Sequence, residues 1–182
     1  YQRARKKPPI AAQPTVTQRI LLLTPTFAEG GAETVVRDLA LHLRREGHSV
    51  ALVSMIEPTS FVGTLEASGV PVVSLSMNRR GANLAGVMRF LQVTREFRPD
   101  IIHAHMFHAS MLARVTKAFT RARIVCTVHS EIECSTRRRA GQFRELLFRL
   151  TDGWCDSTTA VSQRVRDRYV ALKLARKSMT II

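Results

Sequence analysis

From Arg19 onward, short apolar runs alternate with longer segments whose apolar residues recur every three or four positions. That alternation constrains the fold more than any other feature. Residues 19–24 (RILLLT), 50–55, 70–76, 99–105, 123–130, 156–162 and 178–182 read as strands. Residues 32–46, 84–97, about 109–119, 141–151 and 163–175 read as helices. In the first of these, Val35, Val36, Leu39, Ala40 and Leu43 recur at helical spacing and Gly47 supplies a stop. Strands joined through helices of this length need crossover connections, which are right-handed and produce a parallel sheet covered on both faces.

The expected fold class is therefore α/β, a Rossmann-like three-layer sandwich with a parallel sheet, in a single domain over residues 19–182. Residues 1–18 form a basic, Pro-containing leader read as disordered or as a linker. At 182 residues and 45% hydrophobic, the chain can bury a core as one domain. No apolar run approaches the roughly 18 residues needed to cross a bilayer, and the leader lacks the apolar centre of a signal peptide. Cys126, Cys134 and Cys155 are odd in number and show no C-x-x-C spacing, so they read as reduced thiols in a cytoplasmic protein.

The net charge of +14 is concentrated at the ends: five basic residues and no acid in residues 1–19, and eleven basic against four acidic in residues 135–182. Such ends favour anionic partners: lipid headgroups, nucleic acid or a phosphorylated substrate. The alternative is a solvated, arginine-rich surface. Against nucleic acid stand the scarcity of stacking aromatics, with two Tyr and one Trp, and the absence of a nucleic-acid-binding motif. No nucleic-acid partner is expected.

In a sheet of this kind, ligands bind beyond the carboxyl ends of the strands. Gly30 and Gly31 follow the first strand and open the first helix, where unpaired N–H groups and the helix dipole attract anions. A side chain there would obstruct close approach of backbone to a phosphate; the other reading is a tight turn. Neither G-x-G-x-x-G nor a P-loop is present, which argues against ordinary NAD or ATP binding. His103 and His105 straddle the end of DIIHAH, His108 follows, and His129 ends IVCTVH, whereas His42 and His48 read as surface residues. HAHMFH permits a zinc hypothesis, but no carboxylate lies at ligand spacing, so no metal is expected. His103 reads equally as a core histidine.

The ordered set LLLTPTFAEGGAE, LALHLRREGHSVALV, SGVPV, FRPDIIHAHMFHAS, VCTVHS and TAVSQRVRD resembles the N-terminal domain of family 4 retaining glycosyltransferases. The resemblance covers roughly residues 19–182 and implies the GT-B fold, two facing Rossmann-like domains with the acceptor held by the first and a nucleotide sugar by the second. It implies that Gly30 and Gly31 form the loop facing the donor diphosphate and bordering the acceptor, and that His129 lies near the transferred sugar. It further implies that His105 lines the cleft and that Ser162 ends the strand before the helix leading to the second domain. Glu33 belongs to the matched pattern, with capping of the first helix as its simplest role.

The family's second domain, with two glutamates seven residues apart and an Arg/Lys pair for donor phosphates, has no counterpart in these 182 residues. The expected function is transfer of a sugar, with retention, from a nucleotide sugar to a glycan or lipid-linked acceptor. This chain supplies the acceptor-side half and has little activity alone; the nucleotide sugar is substrate, and no cofactor is expected. The alternatives are a non-catalytic interaction domain that pairs with a separate donor-binding chain and, behind it, a basic nucleic-acid-binding α/β domain.

A second expectation concerns STRRRAGQFRELLFRLTDGWCD, where Arg137, Arg138 and Arg139 precede Phe143, Leu146, Leu147, Leu150 and Trp154. In related enzymes with lipid-linked acceptors, a basic, apolar element of this domain docks on the membrane, which would place the protein peripherally on its inner face. The competing reading has Leu146, Leu147 and Leu150 facing the sheet and the arginines solvated.

Overall fold

The computed structural model describes residues 16–78, 83–131, 139–174 and 179–182. Strands β1 (Arg19–Thr24), β2 (Ser49–Ser54), β3 (Val72–Ser74), β4 (Ile101–His105), β5 (Arg123–Val128), β6 (Ser157–Ala160) and β7 (Thr180–Ile181) form one sheet. Every pairing is parallel, in the order β3-β2-β1-β4-β5-β6-β7, so the order reverses between β1 and β4. The helices are α1 (Gly31–Arg45), α2 (Val62–Ala67), α3 (Leu84–Phe97), α4 (Met106–Val115), α5 (Arg139–Thr151) and α6 (Gln163–Ala171). The leader expected at residues 1–18 lies outside the described residues except for its last three.

β1 shows why this sheet is covered on both faces. Leu21 and Leu23 enter one core with Phe90 of α3 and Leu112 of α4, while Ile20 and Leu22 enter the other with Val36 and Ala40 of α1 and Leu65 of α2. Each of these leucines, once buried, contributes about 2 kcal/mol from removal of apolar surface from water. A third cluster joins Val128 and Ala160 to Phe148 of α5 and to Val165 and Tyr169 of α6.

Helix ends follow local chemistry. Gly47, just past α1, sits at φ +89, a left-handed conformation glycine adopts without penalty. Asn83 caps α3 by accepting from the Gly86 N–H at 2.7 Å. Under α5, Arg114 is fully buried: it donates to the Phe148 carbonyl at 3.0 Å, lies 3.8 Å from the Asp152 carboxylate and stacks 3.9 Å from the Phe148 ring centre.

Three expectations change. Helix α2 was not anticipated. α4 begins at Met106, before the expected 109, because β4 runs into it with no loop. On α5 the buried residues among those described are Gly141, Phe148 and Thr151, and Leu146 and Leu150 stand 48% and 62% exposed, so these two leucines do not face the sheet. Among the described residues no helix is long and apolar enough to cross a membrane.

Candidate active site

Beyond the carboxyl ends of the strands, side chains far apart in sequence meet. His105 closes β4, and the chain turns into α4 through Met106 at φ +66, a left-handed conformation that costs a non-glycine residue about 1 kcal/mol. That turn leaves His105 fully buried with its Nδ1 3.0 Å from Nε2 of His129, just past β5. His105 Nε2 is also buried and, among the described residues, has no hydrogen-bond partner. A buried N–H without a partner is rarer than a bare lone pair, so the favoured tautomer carries its proton on Nδ1 and donates it to His129.

His103 occupies the face of β4 that borders α1, in register with Leu22. Its ring lies 4.2 Å from that of His105, and its Nε2 lies 2.7 Å from the Thr127 hydroxyl, itself 2.7 Å from that of Thr159. Burial, then the neighbouring His129, lowers His103 to about 4. Burial, then His103 and His129, puts His105 well below the ordinary histidine range. His129 is lowered by burial, and the Glu33 carboxylate partly opposes this. All three are neutral near pH 7, suited to accept or donate hydrogen bonds to sugar hydroxyls rather than to carry charge. Among the described residues no group of three or more His, Cys, Asp or Glu is arranged to hold a metal.

Glu33 does not cap α1. Its carboxylate accepts from the Thr26 hydroxyl at 2.6 Å, and no side chain caps the helix at Gly30. Gly30 is extended at φ −169 and Gly31 begins the helix, so neither position needs a glycine for its backbone conformation. A Cβ on Gly31 would meet nothing within 4 Å, whereas one on Gly30 would press on the Glu33 carboxylate. The tight-turn reading of this pair fails. The loop is exposed, and the first-turn N–H groups of α1 have no side-chain cap. Ser162 accepts from the Val165 N–H at 3.3 Å and thereby caps α6. Arg137 and Arg138 lie outside the described residues, and Arg139 opens α5.

Next to Thr26 an open cleft of about 510 Å³ runs over the ends of β1 and β2. Phe27, Met55 and Met77 give it an apolar floor, Glu57 and Thr59 stand on the β2 side, and His108 of α4 and Arg144 of α5 complete it. Glu57, Asn78 and Arg144 were not expected at the cleft from the sequence. Glu57 and Asn78 follow β2 and β3, so the strand-end rule was signal enough for them. Nothing local marked Arg144, which reaches the cleft from mid-helix.

HepE from Anabaena, solved with UDP-glucose, superimposes with a TM-score of 0.70 at 19% identity over 91% of this chain and 43% of that one. A glycosyltransferase from Rickettsia africae gives 0.67 at 15% identity over 92% and 43%. A UDP-N-acetylglucosamine 2-epimerase from Rickettsia bellii gives 0.56 at 12% identity over 90% and 44%. No curated protein sequence matches the chain. Identities this low establish the fold alone, and the chain spans less than half the length of each of these proteins. The parallel, helix-covered sheet is that of the N-terminal half of a GT-B protein. The sequence is more specific: the chain belongs to Glycosyltransferase Family 4, whose profile matches residues 29–182.

Proposed function

We propose that this chain forms the acceptor-side half of a retaining glycosyltransferase that moves a sugar from a nucleotide sugar to a glycan or lipid-linked acceptor. The observation that carries the reading is the uncapped, glycine-bounded N-terminus of α1, joined through Glu33 and Thr26 to the cleft and lying within electrostatic reach of His129. Sugar transfer passes through an oxocarbenium-like state while charge builds on the departing diphosphate. Preorganised N–H donors at that phosphate lower the barrier, and a missing Cβ at Gly31 lets the phosphate reach them. His129, neutral and held by His105, is suited to bond a hydroxyl of the transferred sugar.

The test is release of nucleoside diphosphate from UDP-glucose, measured for the 182-residue chain alone and after pairing with a donor-binding GT-B half. Negligible release alone, restoration on pairing, and loss of the restored rate in Gly31→Val and in His129→Ala are expected. Robust release by the chain alone would overturn the half-site reading.

A specific observation favours membrane association as well. Phe143, Leu146 and Leu150 of α5, with Trp154 beyond it, are exposed and share one side of the helix axis. Arg137, Arg138 and Arg139 precede them in sequence. Apolar stripes flanked by arginine bind anionic lipid surfaces.

A further inference from the structure

The cleft has a polar group of its own, distinct from the histidine pair, which is not among its lining residues. Arg144 lies with its guanidinium carbon 5.4 Å from the centre of the Phe107 ring, and His108 meets the same ring edge-on, also at 5.4 Å between centres. One aromatic ring thus holds both cationic-type side chains at the wall of the cleft, each from a different helix. Burial, and then the nearby Arg144 charge, lowers His108 from its ordinary range, so the two groups sense each other. Glu57 and Thr59 line the same cleft, together with the apolar Phe27, Met55 and Met77.

We infer that the acceptor is a hydroxylated ring bearing a phosphate-class anion, and that Arg144 and His108 bind that anion. This rests on the glycosyltransferase reading and names its acceptor class. The geometry divides the work. Arginine is the side chain best matched to phosphate, through charge-assisted, paired N–H bonds. Glu57 can accept bonds only from hydroxyls and repels an anion, which orients a ring carrying both groups with its phosphate toward Arg144. The apolar floor suits the C–H face of a sugar ring or the first carbons of a lipid tail. At about 510 Å³ the cleft is within the usual size range for a small-molecule site. A phosphate on a soluble sugar and a phosphate joining sugar to lipid share this chemistry.

Calorimetric titration of the purified protein with glucose, glucose 6-phosphate and decyl phosphate at equal ionic strength tests the inference. The phosphates should bind at least about tenfold more tightly than glucose, and Arg144→Gln should erase that preference while leaving glucose binding unchanged. Tighter binding of decyl phosphate identifies a lipid-linked source, and tighter binding of glucose 6-phosphate a soluble one. Independently, an anion placed between the two groups cancels the Arg144 field on His108. The His108 imidazole resonance of the unmodified protein should then titrate at higher pH with saturating phosphate probe than without it. This readout stands whether or not the Arg144 variant folds. No preference for phosphate, or an unmoved His108 titration, overturns the inference. Neither measurement uses UDP-glucose turnover, so failure here leaves the transfer reading intact, and failure of transfer leaves these results interpretable.

Discussion

Acidification should destabilise this protein well above the pH at which its carboxylates protonate. His103 titrates near 4 in the fold against about 6.5 in an unfolded chain. Between those values the unfolded state binds a proton that the folded state refuses, so stability is full above about pH 6.5 and falls as pH drops toward 4. From about pH 7.5 to about pH 5, His103 alone accounts for a loss of about 2 kcal/mol. His105, held still lower by burial, contributes in the same direction. In a domain of this size each kcal/mol shifts the melting temperature by about 2–4 °C, so His103 alone should lower it by roughly 4–8 °C, with His105 adding to the fall. Urea unfolding at the two pH values measures the loss, and His103→Gln isolates one contributor. The variant should lose about 2 kcal/mol less than the parent on acidification, whatever its stability at neutral pH. Equal losses in parent and variant, or a parent indifferent to this pH change, would refute the claim that the sheet holds His103 neutral.

Arg114→Met removes the guanidinium that lies 3.8 Å from the buried Asp152 carboxylate and donates to the Phe148 carbonyl. It should cost roughly 3–5 kcal/mol in denaturant unfolding, and adding Asp152→Asn should recover part of that; a milder single variant would mean that the pocket admits water. Flotation with anionic vesicles should carry the protein upward, and replacing Arg137, Arg138 and Arg139 by Ser or Leu150 by Ser should each weaken it. Partitioning unchanged by either replacement would remove the case for a membrane-docking α5.

Where a segment was long and periodic, its sequence announced it. β1 and α3 run over the residues expected of them, because their apolar patterns are uninterrupted and each ends at a polar or special residue. α2 escaped because six residues are too few to show a period, and it starts from Phe61 at φ +61, a conformation no residue type there advertised. The start of α4 was placed late for a related reason: the turn through Met106 contains no glycine, and the polar HAHMFH run interrupts the apolar rhythm. The glycine loop and the histidines were legible as residues at strand ends, yet their partners were not. That His105 would bond His129 depends on the β4–β5 register, which sets His105 opposite Thr127, and register is a long-range property. Arg144 reaches the cleft only because α5 packs against α4, a contact with no local signature.

The order of strands also bears on how the protein is made. Each strand from β2 onward pairs with one already synthesised: β2 with β1, β3 with β2, β4 with β1, and β5, β6 and β7 each with its predecessor. Parallel sheets pair distant segments and fold slowly, leaving unpaired edges open to aggregation meanwhile. A nascent chain of this topology never stalls for a partner still inside the ribosome. The longest wait falls on the second side of β1, bare until β4 arrives some eighty residues later, and that interval is when a chaperone would have most to cover.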